Sequence, residues 1–156
     1  MLLPNNFART TTWEQIMEMI GVSHPLSILV VDDDRDTAES QAAVLALHGH
    51  TVRFALNAPD AIREMIRFGP DVILLDLWMG EINGWELAVA LKELSDSAIL
   101  IAVTGCNEPD DLRRSNEVGI HFHMVKPVET SQLLAILDSV GTSRPRRAKA
   151  LDQCSG

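Results

Sequence analysis

The stretch Ile28-Leu29-Val30-Val31-Asp32-Asp33-Asp34 joins an unbroken apolar run to three carboxylates. Two further runs, Val72–Leu75 and Ile99–Val103, are also apolar throughout rather than alternating with polar residues. Strands that are buried on both faces have this pattern, and such strands are typical of parallel sheets. The stretch therefore predicts a strand inside a parallel sheet, with acidic residues at its carboxyl end.

Two further strand segments, Thr51–Phe54 and Phe122–Val125, contain polar as well as apolar residues and are predicted to lie nearer the sheet edges. Helical patterns lie between the five strand segments. Three helices show apolar residues at i, i+3, i+4 and i+7: Ala58, Ala61, Ile62 and Met65; Leu87, Ala90, Leu91 and Leu94; and Leu133, Ile136, Leu137 and Val140. Two weaker helical segments are predicted from a thin stripe (Ala38, Ala42 and Leu45) and from the polar segment Asp110–Val118, anchored mainly by Leu112. Glycines are predicted to end these helices at Gly49, Gly69, Gly119 and Gly141. Strands alternating with helices predict an α/β fold, a doubly wound five-stranded parallel sheet with helices on both faces.

Polar residues that could carry chemistry stand directly after four of the predicted strands. Asp32 and Asp33 follow the first strand, Asp76 the third, Thr104 the fourth and Lys126 the fifth. Ligands of parallel sheets bind at the carboxyl ends of the strands, so these side chains are predicted to share one cleft. Taken singly, each has an ordinary structural explanation as a helix N-cap, a turn former or a loop residue. Together they indicate a site.

Crowded carboxylates repel one another unless cations compensate their charge. Lys126 supplies one positive charge, and Mg²⁺, which binds carboxylates, waters and phosphate oxygens, would supply the rest. A carboxylate held beside such an ion, an ammonium and a hydroxyl can attack a phosphoryl group. The sequence therefore favours phosphoryl transfer with Mg²⁺ as cofactor.

The segments that carry these residues resemble the defining motifs of response-regulator receiver domains, the phosphoacceptor modules of two-component systems. The resemblance covers residues 27–140 and rests on four segments in the family's order and spacing: Val30-Val31-Asp32-Asp33, Leu75-Asp76, Val103-Thr104-Gly105 and Val125-Lys126-Pro127. It implies a flavodoxin-like sheet of strand order 2-1-3-4-5. It also implies a phosphodonor, either a histidine kinase or a histidine phosphotransfer protein, and signalling by contact with a protein target that the sequence does not name.

The resemblance assigns the acidic residues to the phosphoryl group and the metal. Asp76 is the phosphoacceptor and a Mg²⁺ ligand, Asp33 binds the ion directly, and Asp32 binds it through a water. The backbone carbonyl of Trp78, two residues after the acceptor, is another implied ligand. Trp78 and Cys106 also occupy the two variable positions at the rim of the cleft. Neither side chain orients water well, so slow loss of the phosphoryl group is expected.

Three further residues have roles by resemblance. Thr104 hydrogen-bonds the phosphoryl oxygens, and Lys126 pairs with them. Pro127 follows a cis peptide bond that aims Lys126 into the site. His123 stands at the switch position, where relatives usually carry an aromatic ring that turns inward when the threonine moves toward the phosphate. It could instead be an edge-strand histidine with satisfied hydrogen bonds.

The loop after the acceptor departs from the family pattern. Four residues after the acceptor, relatives often have Pro, and this chain has Gly80. At the seventh and eighth positions it has Asn83 and Gly84 instead of Asp-Gly. The closing glycine is kept but the stiffening proline is absent, so the conformation of the loop is not predicted. All phosphorylation residues are present, which argues against a degenerate receiver.

Two other functions stay open at this point. A haloacid-dehalogenase-like phosphatase would use Asp32-Asp33-Asp34 as its nucleophile motif, but it leaves Asp76 unexplained and lacks the acidic pair expected after Lys126. Sustained hydrolysis of a generic phosphate ester would identify it. A receiver-shaped interaction module would signal without phosphate, and failure of Asp76 to react would favour it.

Composition restricts the remaining classes of function. The 156 residues include 46% hydrophobic and 22% charged ones, an ordinary globular composition, and the net charge of −9 argues against non-specific nucleic-acid binding. Two cysteines indicate neither a disulfide framework nor a zinc site. The sequence shows no signal peptide and no membrane span, so a cytoplasmic location is expected.

The receiver is predicted to occupy residues 27–141, between two extensions. Residues 1–26 form an N-terminal extension with a short helix, which begins at a Thr12–Gln15 capping box and has one apolar face of Trp13, Ile16, Met17 and Ile20. That helix is expected to pack on its own domain, and the alternative is contact with a partner or a homodimer. Residues 142–156 form a basic tail that is predicted to be disordered. Since no output domain follows, the chain is expected to be a stand-alone regulator without separate enzymatic turnover.

Overall fold

A computed structural model of the chain describes residues 24–105 and 108–143, together with Thr12, Gln15, Ile16 and Met19. Within residues 24–143, strands and helices alternate except where three strands follow one another after the second helix. The strands are β1 Ser27–Val31, β2 Thr51–Ala55, β3 Val72–Asp76, β4 Trp78–Met79, β5 Ile82–Asn83, β6 Ile99–Thr104 and β7 Phe122–Val125. The helices are α1 Arg35–Leu47, α2 Ala58–Phe68, α3 Gly84–Leu94, α4 Pro109–Glu117 and α5 Thr130–Ser143.

Five of the strands form one sheet in the order β2-β1-β3-β6-β7, which is the predicted order 2-1-3-4-5. All four pairings in this sheet are parallel. Every residue of β1 and of β3 is buried, which confirms that the continuous apolar runs mark strands covered on both faces. The two mixed segments form the edge strands β2 and β7, as predicted.

Helices cover both faces of this sheet. Ile28 and Val30 of β1 belong to a core shared with α1 and α5, while Leu29 and Val31 belong to a core shared with α2 and α3. Neighbouring residues enter different cores because successive side chains of a strand point to opposite faces. The predicted doubly wound α/β architecture is confirmed.

The apolar face of α3 differs from its prediction. Leu94, predicted to face the core, is exposed at the end of the helix, while Trp85 and Ala88 are buried. The cause lies at the start of α3, where Asn83 caps the helix and Gly84 brings the first turn close to the chain that leaves β3. Directly after this close approach, the indole of Trp85 is buried in the core shared with α2.

Two other predictions about helices are corrected. Leu112 is only half-buried, and Ser115 is the residue of α4 that is buried. Gly141 does not end the last helix, because α5 continues to Ser143, two residues into the predicted tail. A Cβ at Gly141 would lie 3.2 Å from the Cβ of His24, so this glycine allows close packing of the segment before β1. The other three glycines predicted to end helices do follow helices and have a positive φ: Gly49, Gly69 and Gly119.

Part of the N-terminal extension is described, and it contains the predicted capping box. The N–H of Thr12 donates to Oε1 of Gln15 at 2.9 Å, and the N–H of Gln15 donates to Oγ1 of Thr12 at 3.4 Å. Three residues of the predicted apolar face, Trp13, Met17 and Ile20, lie outside the described residues. The predicted tail also lies outside them from residue 144 onward. Among the described residues, no helix combines the length and apolar character needed to cross a membrane.

Candidate functional site

Four neighbouring strand ends bring the predicted polar residues to one edge of the sheet. Asp32 follows β1, Asp76 ends β3, Thr104 ends β6 and Lys126 follows β7, and these strands are consecutive in the sheet. Lys126 joins the far strand to the centre, because its Nζ lies 3.1 Å from Oδ2 of Asp76 and 3.3 Å from Oδ2 of Asp32. The structure therefore brings these side chains into one cluster.

Asp76 is the central carboxylate of the cluster and is only 6% exposed. Its Oδ2 accepts a hydrogen bond from the Lys126 ammonium, and its Oδ1 accepts one from the N–H of Trp78 at 3.0 Å. Burial raises the pKa of Asp76 above its usual value, against the opposing effect of the hydrogen bonds from Trp78 and Lys126. Burial alone would lower the pKa of Lys126, but the hydrogen bonds and charges of Asp76 and Asp32 raise it. The ammonium therefore stays charged and is shared between two carboxylates.

The acidic residues fit a divalent cation with oxygen ligands. One carboxylate oxygen from each of Asp32, Asp33 and Asp76 lies within 4.8 Å of the other two. Among the described residues a single ammonium, that of Lys126, is bound to this group, so negative charge is in excess there. Carboxylate oxygens of this kind suit the hard cations Mg²⁺ and Ca²⁺. A Cβ at Gly80 would lie 3.8 Å from Oδ2 of Asp33, so the glycine leaves the space beside that carboxylate open.

The three aspartates after β1 have different roles, because Asp34 caps a helix while Asp32 and Asp33 belong to the carboxylate group. Asp34 is the N-cap residue of α1, and its Oδ2 accepts a hydrogen bond from the Thr37 hydroxyl at 2.6 Å. The N–H of Asp34 also donates to Oδ1 of Asp32 at 2.9 Å, which fixes the orientation of that buried side chain. Asp33 is exposed and open to solvent.

Thr104 and Lys126 stand on neighbouring strand ends. Thr104 is 0% exposed, and its carbonyl accepts a hydrogen bond from the N–H of Lys126 at 2.7 Å. The strand register continues up to this point, with Thr104 paired to Val125. The peptide bond between Lys126 and Pro127 is cis. The threonine hydroxyl and the lysine ammonium are thus carried by two strands that are hydrogen-bonded to each other.

His123 lies on the edge strand β7, and both of its ring nitrogens are buried without a hydrogen-bond partner among the described residues. The contacts therefore do not support the alternative of a satisfied edge-strand histidine. Met124 packs into the core on the side of α1 and α5, so His123 points to the other side of the sheet. Burial lowers the pKa of His123, although the charge of Asp111 on α4 opposes this. The uncharged imidazole is favoured.

The loop after the acceptor forms a short antiparallel hairpin of β4 and β5, which the sequence analysis did not predict. Trp78 pairs with Asn83 in this hairpin, and Gly80 stands in its turn with a φ of 59°. Proline is restricted to a φ near −65°, so the proline common in relatives could not adopt this conformation. The exchange of proline for glycine therefore allows the hairpin.

Two residues position the acceptor loop: Gly84, which the sequence analysis noted only as the closing glycine, and Trp85, which it missed. A Cβ on Gly84 would lie 2.5 Å from Cα of Leu77 and 2.9 Å from the carbonyl oxygen of Asp76, so only glycine fits there. Trp85 is buried, and its ring meets that of Trp78 edge-on, with the ring centroids 5.3 Å apart. Trp78 itself is 59% exposed at the rim, whereas Cys106, the other predicted rim residue, lies outside the described residues. The spacing of Trp85 to Ala88 and Leu91 could have indicated its inward position.

Comparison with known proteins agrees with this fold. A family model described as the response regulator receiver domain matches residues 28–138. The chain belongs to the response-regulator receiver family. This membership decides against the phosphatase alternative, which had left Asp76 without a role.

Two curated relatives are longer than the segment that matches this chain. The chain is 32% identical over 115 residues to the transcriptional regulatory protein PrrA of Mycobacterium leprae (strain TN), and the match covers 74% of this chain and 49% of that protein. It is 29% identical over 111 residues to the response regulator MprA of Mycobacterium sp. (strain KMS), covering 71% of this chain and 48% of that protein. The chain therefore spans about half the length of the curated relatives it matches.

Solved receiver structures share the fold. A CheY-like response regulator receiver domain protein from Methanospirillum hungatei JF-1 has a TM-score of 0.70 at 25% identity, covering 74% of this chain and 92% of that one. A response regulator protein from Burkholderia pseudomallei has a TM-score of 0.69 at 26% identity, covering 74% of this chain and 68% of that one. The latter structure contains a phosphorylated aspartic acid, a calcium ion and citrate.

Proposed function

We propose that this receiver accepts a phosphoryl group on Asp76 in a Mg²⁺-dependent reaction, from a histidine kinase or a histidine phosphotransfer protein. The observation that carries the proposal is the ion pair between Lys126 and the buried Asp76 carboxylate, directly beside Asp32 and Asp33. The phosphorylated aspartic acid and the calcium ion in the similar Burkholderia protein support an acyl phosphate and a divalent cation at this kind of site.

In the proposed reaction, a carboxylate oxygen of Asp76 attacks the phosphorus of a phosphohistidine. The new P–O bond forms as the P–N bond breaks, and the imidazole of the donor leaves. The Lys126 ammonium, 3.1 Å from the acceptor carboxylate, can neutralise charge on the phosphoryl oxygens during transfer. We assign Thr104, on the adjacent strand end, to hydrogen-bonding of those oxygens. Asp76 is modified once, so we expect no separate enzymatic turnover, and we expect the acyl phosphate to hydrolyse slowly.

The proposed protein ligands of Mg²⁺ are Asp33 and Asp76 directly, Asp32 through a water, and the backbone carbonyl of Trp78. When bound, the ion supplies positive charge that offsets the crowded carboxylates and the transferring group. The proposal is supported by the short distances among the three carboxylates and by the space beside Asp33 that Gly80 leaves open.

Thr104 and His123 are proposed as the switch pair. Neither ring nitrogen of His123 has a hydrogen-bond partner among the described residues, so packing rather than a polar anchor holds the ring. A side chain held in this way can change position at a small energetic cost. We propose that movement of Thr104 toward the phosphoryl group is accompanied by a shift of the His123 ring.

The phosphodonor is proposed to approach across a groove between α1 and α5. This groove has a volume of about 720 Å³, opens beside Lys126, and has Gln41, Val44 and Leu133 among its lining residues.

The downstream partner is proposed to be a protein that distinguishes the modified from the unmodified receiver. We propose that this contact takes place in the cytoplasm and that the receiver itself does not bind nucleic acid. Phosphate transfer from a histidine-phosphorylated donor would support this, whereas partners that bind equally with and without beryllofluoride would contradict a phosphorylation-gated contact.

The decisive experiment is intact-mass measurement after incubation with acetyl phosphate and Mg²⁺. The expected gain is one phosphoryl group, which Asp76→Asn and an added chelator should abolish. Asp34→Asn is the matched control, because it removes a carboxylate from the same turn that is not part of the three-aspartate group. This control should be labelled like the wild type. Labelling of Asp76→Asn at the wild-type rate would refute the proposal.

A further inference from the structure

The polar helix α4 contacts the indole of Trp85 through two of its residues. Ser115, the buried residue of α4, accepts a hydrogen bond at 3.1 Å from Nε1 of Trp85. The guanidinium of Arg114 lies over the same indole, with its Cζ 4.5 Å from the ring centroid. Leu112, the residue expected to anchor α4, is only half-buried. Trp85 therefore provides both a hydrogen bond and a cation–π contact to a helix that has little apolar surface of its own.

The same indole also contacts the phosphoacceptor loop. The ring of Trp78 packs edge-on against Trp85, and the backbone N–H of Trp78 donates to Oδ1 of Asp76. The N–H of Trp85 donates to the side chain of Asn83, which pairs with Trp78 in the hairpin. Trp85 thus stands between the acceptor carboxylate and α4, in direct contact with residues on both sides.

We propose that Trp85 is a positioning residue that couples the state of Asp76 to α4, so that modification of Asp76 loosens the helix. This inference rests on the proposed phosphorylation of Asp76. In the unmodified protein, Asp76 holds Trp78, Trp78 packs on Trp85, and Trp85 holds Ser115. A phosphoryl group on Asp76 competes for the carboxylate that Trp78 binds, which weakens the first of these contacts. A helix with few apolar contacts opens at low cost, so a small change at its anchor alters its position.

Contact by itself does not establish coupling, so the test measures the effect in both directions. Hydrogen exchange of residues 109–117 is followed by mass spectrometry with and without beryllofluoride and Mg²⁺. In the wild type, beryllofluoride should accelerate exchange in α4. In Ser115→Ala and in Trp85→Phe, which break the same hydrogen bond from either side, exchange should be fast at the outset and change little on addition of beryllofluoride.

The reverse effect separates coupling from a purely structural anchor. By reciprocity, Ser115→Ala should bind beryllofluoride about fivefold more tightly than the wild type, as followed by tryptophan fluorescence. Arg113→Ala is the matched control, because Arg113 lies on the same helix and pairs with Asp110 instead of Trp85. This control should respond like the wild type in both measurements.

Three outcomes would overturn the inference. The first is a wild-type α4 whose exchange does not change when beryllofluoride is bound, and the second is a Ser115→Ala protein with the full wild-type response. The third is a Ser115→Ala protein with a loosened α4 but wild-type affinity for beryllofluoride, which would make Trp85 a structural anchor only. Intact-mass labelling of the same proteins keeps the two proposals apart. A labelled wild type with an unresponsive α4 contradicts this inference alone, and an unlabelled wild type contradicts the proposed function.

Discussion

Gly84 gives a direct test of how the acceptor loop is packed. A methyl group on Gly84 would lie 2.5 Å from Cα of Leu77, 2.8 Å from the Leu77 carbonyl oxygen and 2.9 Å from that of Asp76. Non-bonded carbon atoms normally lie about 3.5–4.0 Å apart. The first turn of α3 and the end of β3 must therefore separate by about 1 Å to admit the methyl group. Overpacking of this kind costs about 1–3 kcal/mol, and at about 4 °C per kcal/mol Gly84→Ala should lower Tm by about 4–12 °C.

Gly105→Ala is the matched control for this measurement. No atom of the described residues lies within 4 Å of a Cβ built on Gly105, and its φ is not positive. Alanine also restricts the unfolded chain more than glycine does, so this variant should keep or slightly raise Tm. Thermal unfolding of the three proteins is followed by circular dichroism in the presence of chelator. If the Tm of Gly84→Ala equals that of the wild type and that of Gly105→Ala, the close approach of α3 to Leu77 is not as described.

Three further predictions concern lifetime, acid stability and the acceptor carboxylate. Trp78→Asn should lose its phosphoryl group faster than the wild type, because an amide can orient the attacking water and an indole cannot; equal decay by intact mass would exclude shielding by Trp78. Burial lowers the pKa of His50 and of His123 below the ordinary histidine pKa of 6.5. As the pH falls, these histidines are therefore protonated in the unfolded chain before they are protonated in the folded one. The free energy of unfolding consequently decreases as the pH drops below about 6.5. His50→Asn keeps an acceptor for the N–H of Leu26 but does not titrate, so its Tm should fall less than that of the wild type between about pH 7.5 and 5.5; an equal fall would exclude His50 as a cause. Burial raises the pKa of Asp76, so its ionised form opposes folding at neutral pH, and Asp76→Asn should raise Tm in chelator; a lower Tm would mean that the Lys126 ion pair outweighs burial.

The parallel sheet could be predicted from the sequence because its central strands are buried on both faces. An apolar run such as Ile28–Val31 leaves few other structures open, and the parallel arrangement then places the residues after each strand at one edge. The same rule led to the contact between Lys126 and Asp76, which are 50 residues apart in the chain. Prediction succeeded where one physical constraint acts on every strand alike.

Prediction failed where contacts between particular side chains decide the structure. Periodicity gave α4 an apolar anchor in Leu112, but the helix is held by a hydrogen bond between Ser115 and Trp85, which no spacing rule indicates. Gly141 resembles a helix stop, yet α5 continues past it, and its missing side chain makes room for His24 instead. In both cases the partner lies far away in the sequence, so local patterns carry no information about it.

The departures of this receiver from the family pattern in the acceptor loop form one connected change. Gly80 adopts a φ that proline cannot reach, and this permits the hairpin that pairs Trp78 with Asn83. Asn83 caps α3 by accepting the N–H of Trp85, and the indole of Trp85 then supports both Trp78 and α4. In this receiver a glycine turn and two indoles in edge-to-face contact therefore hold the chain beside the acceptor.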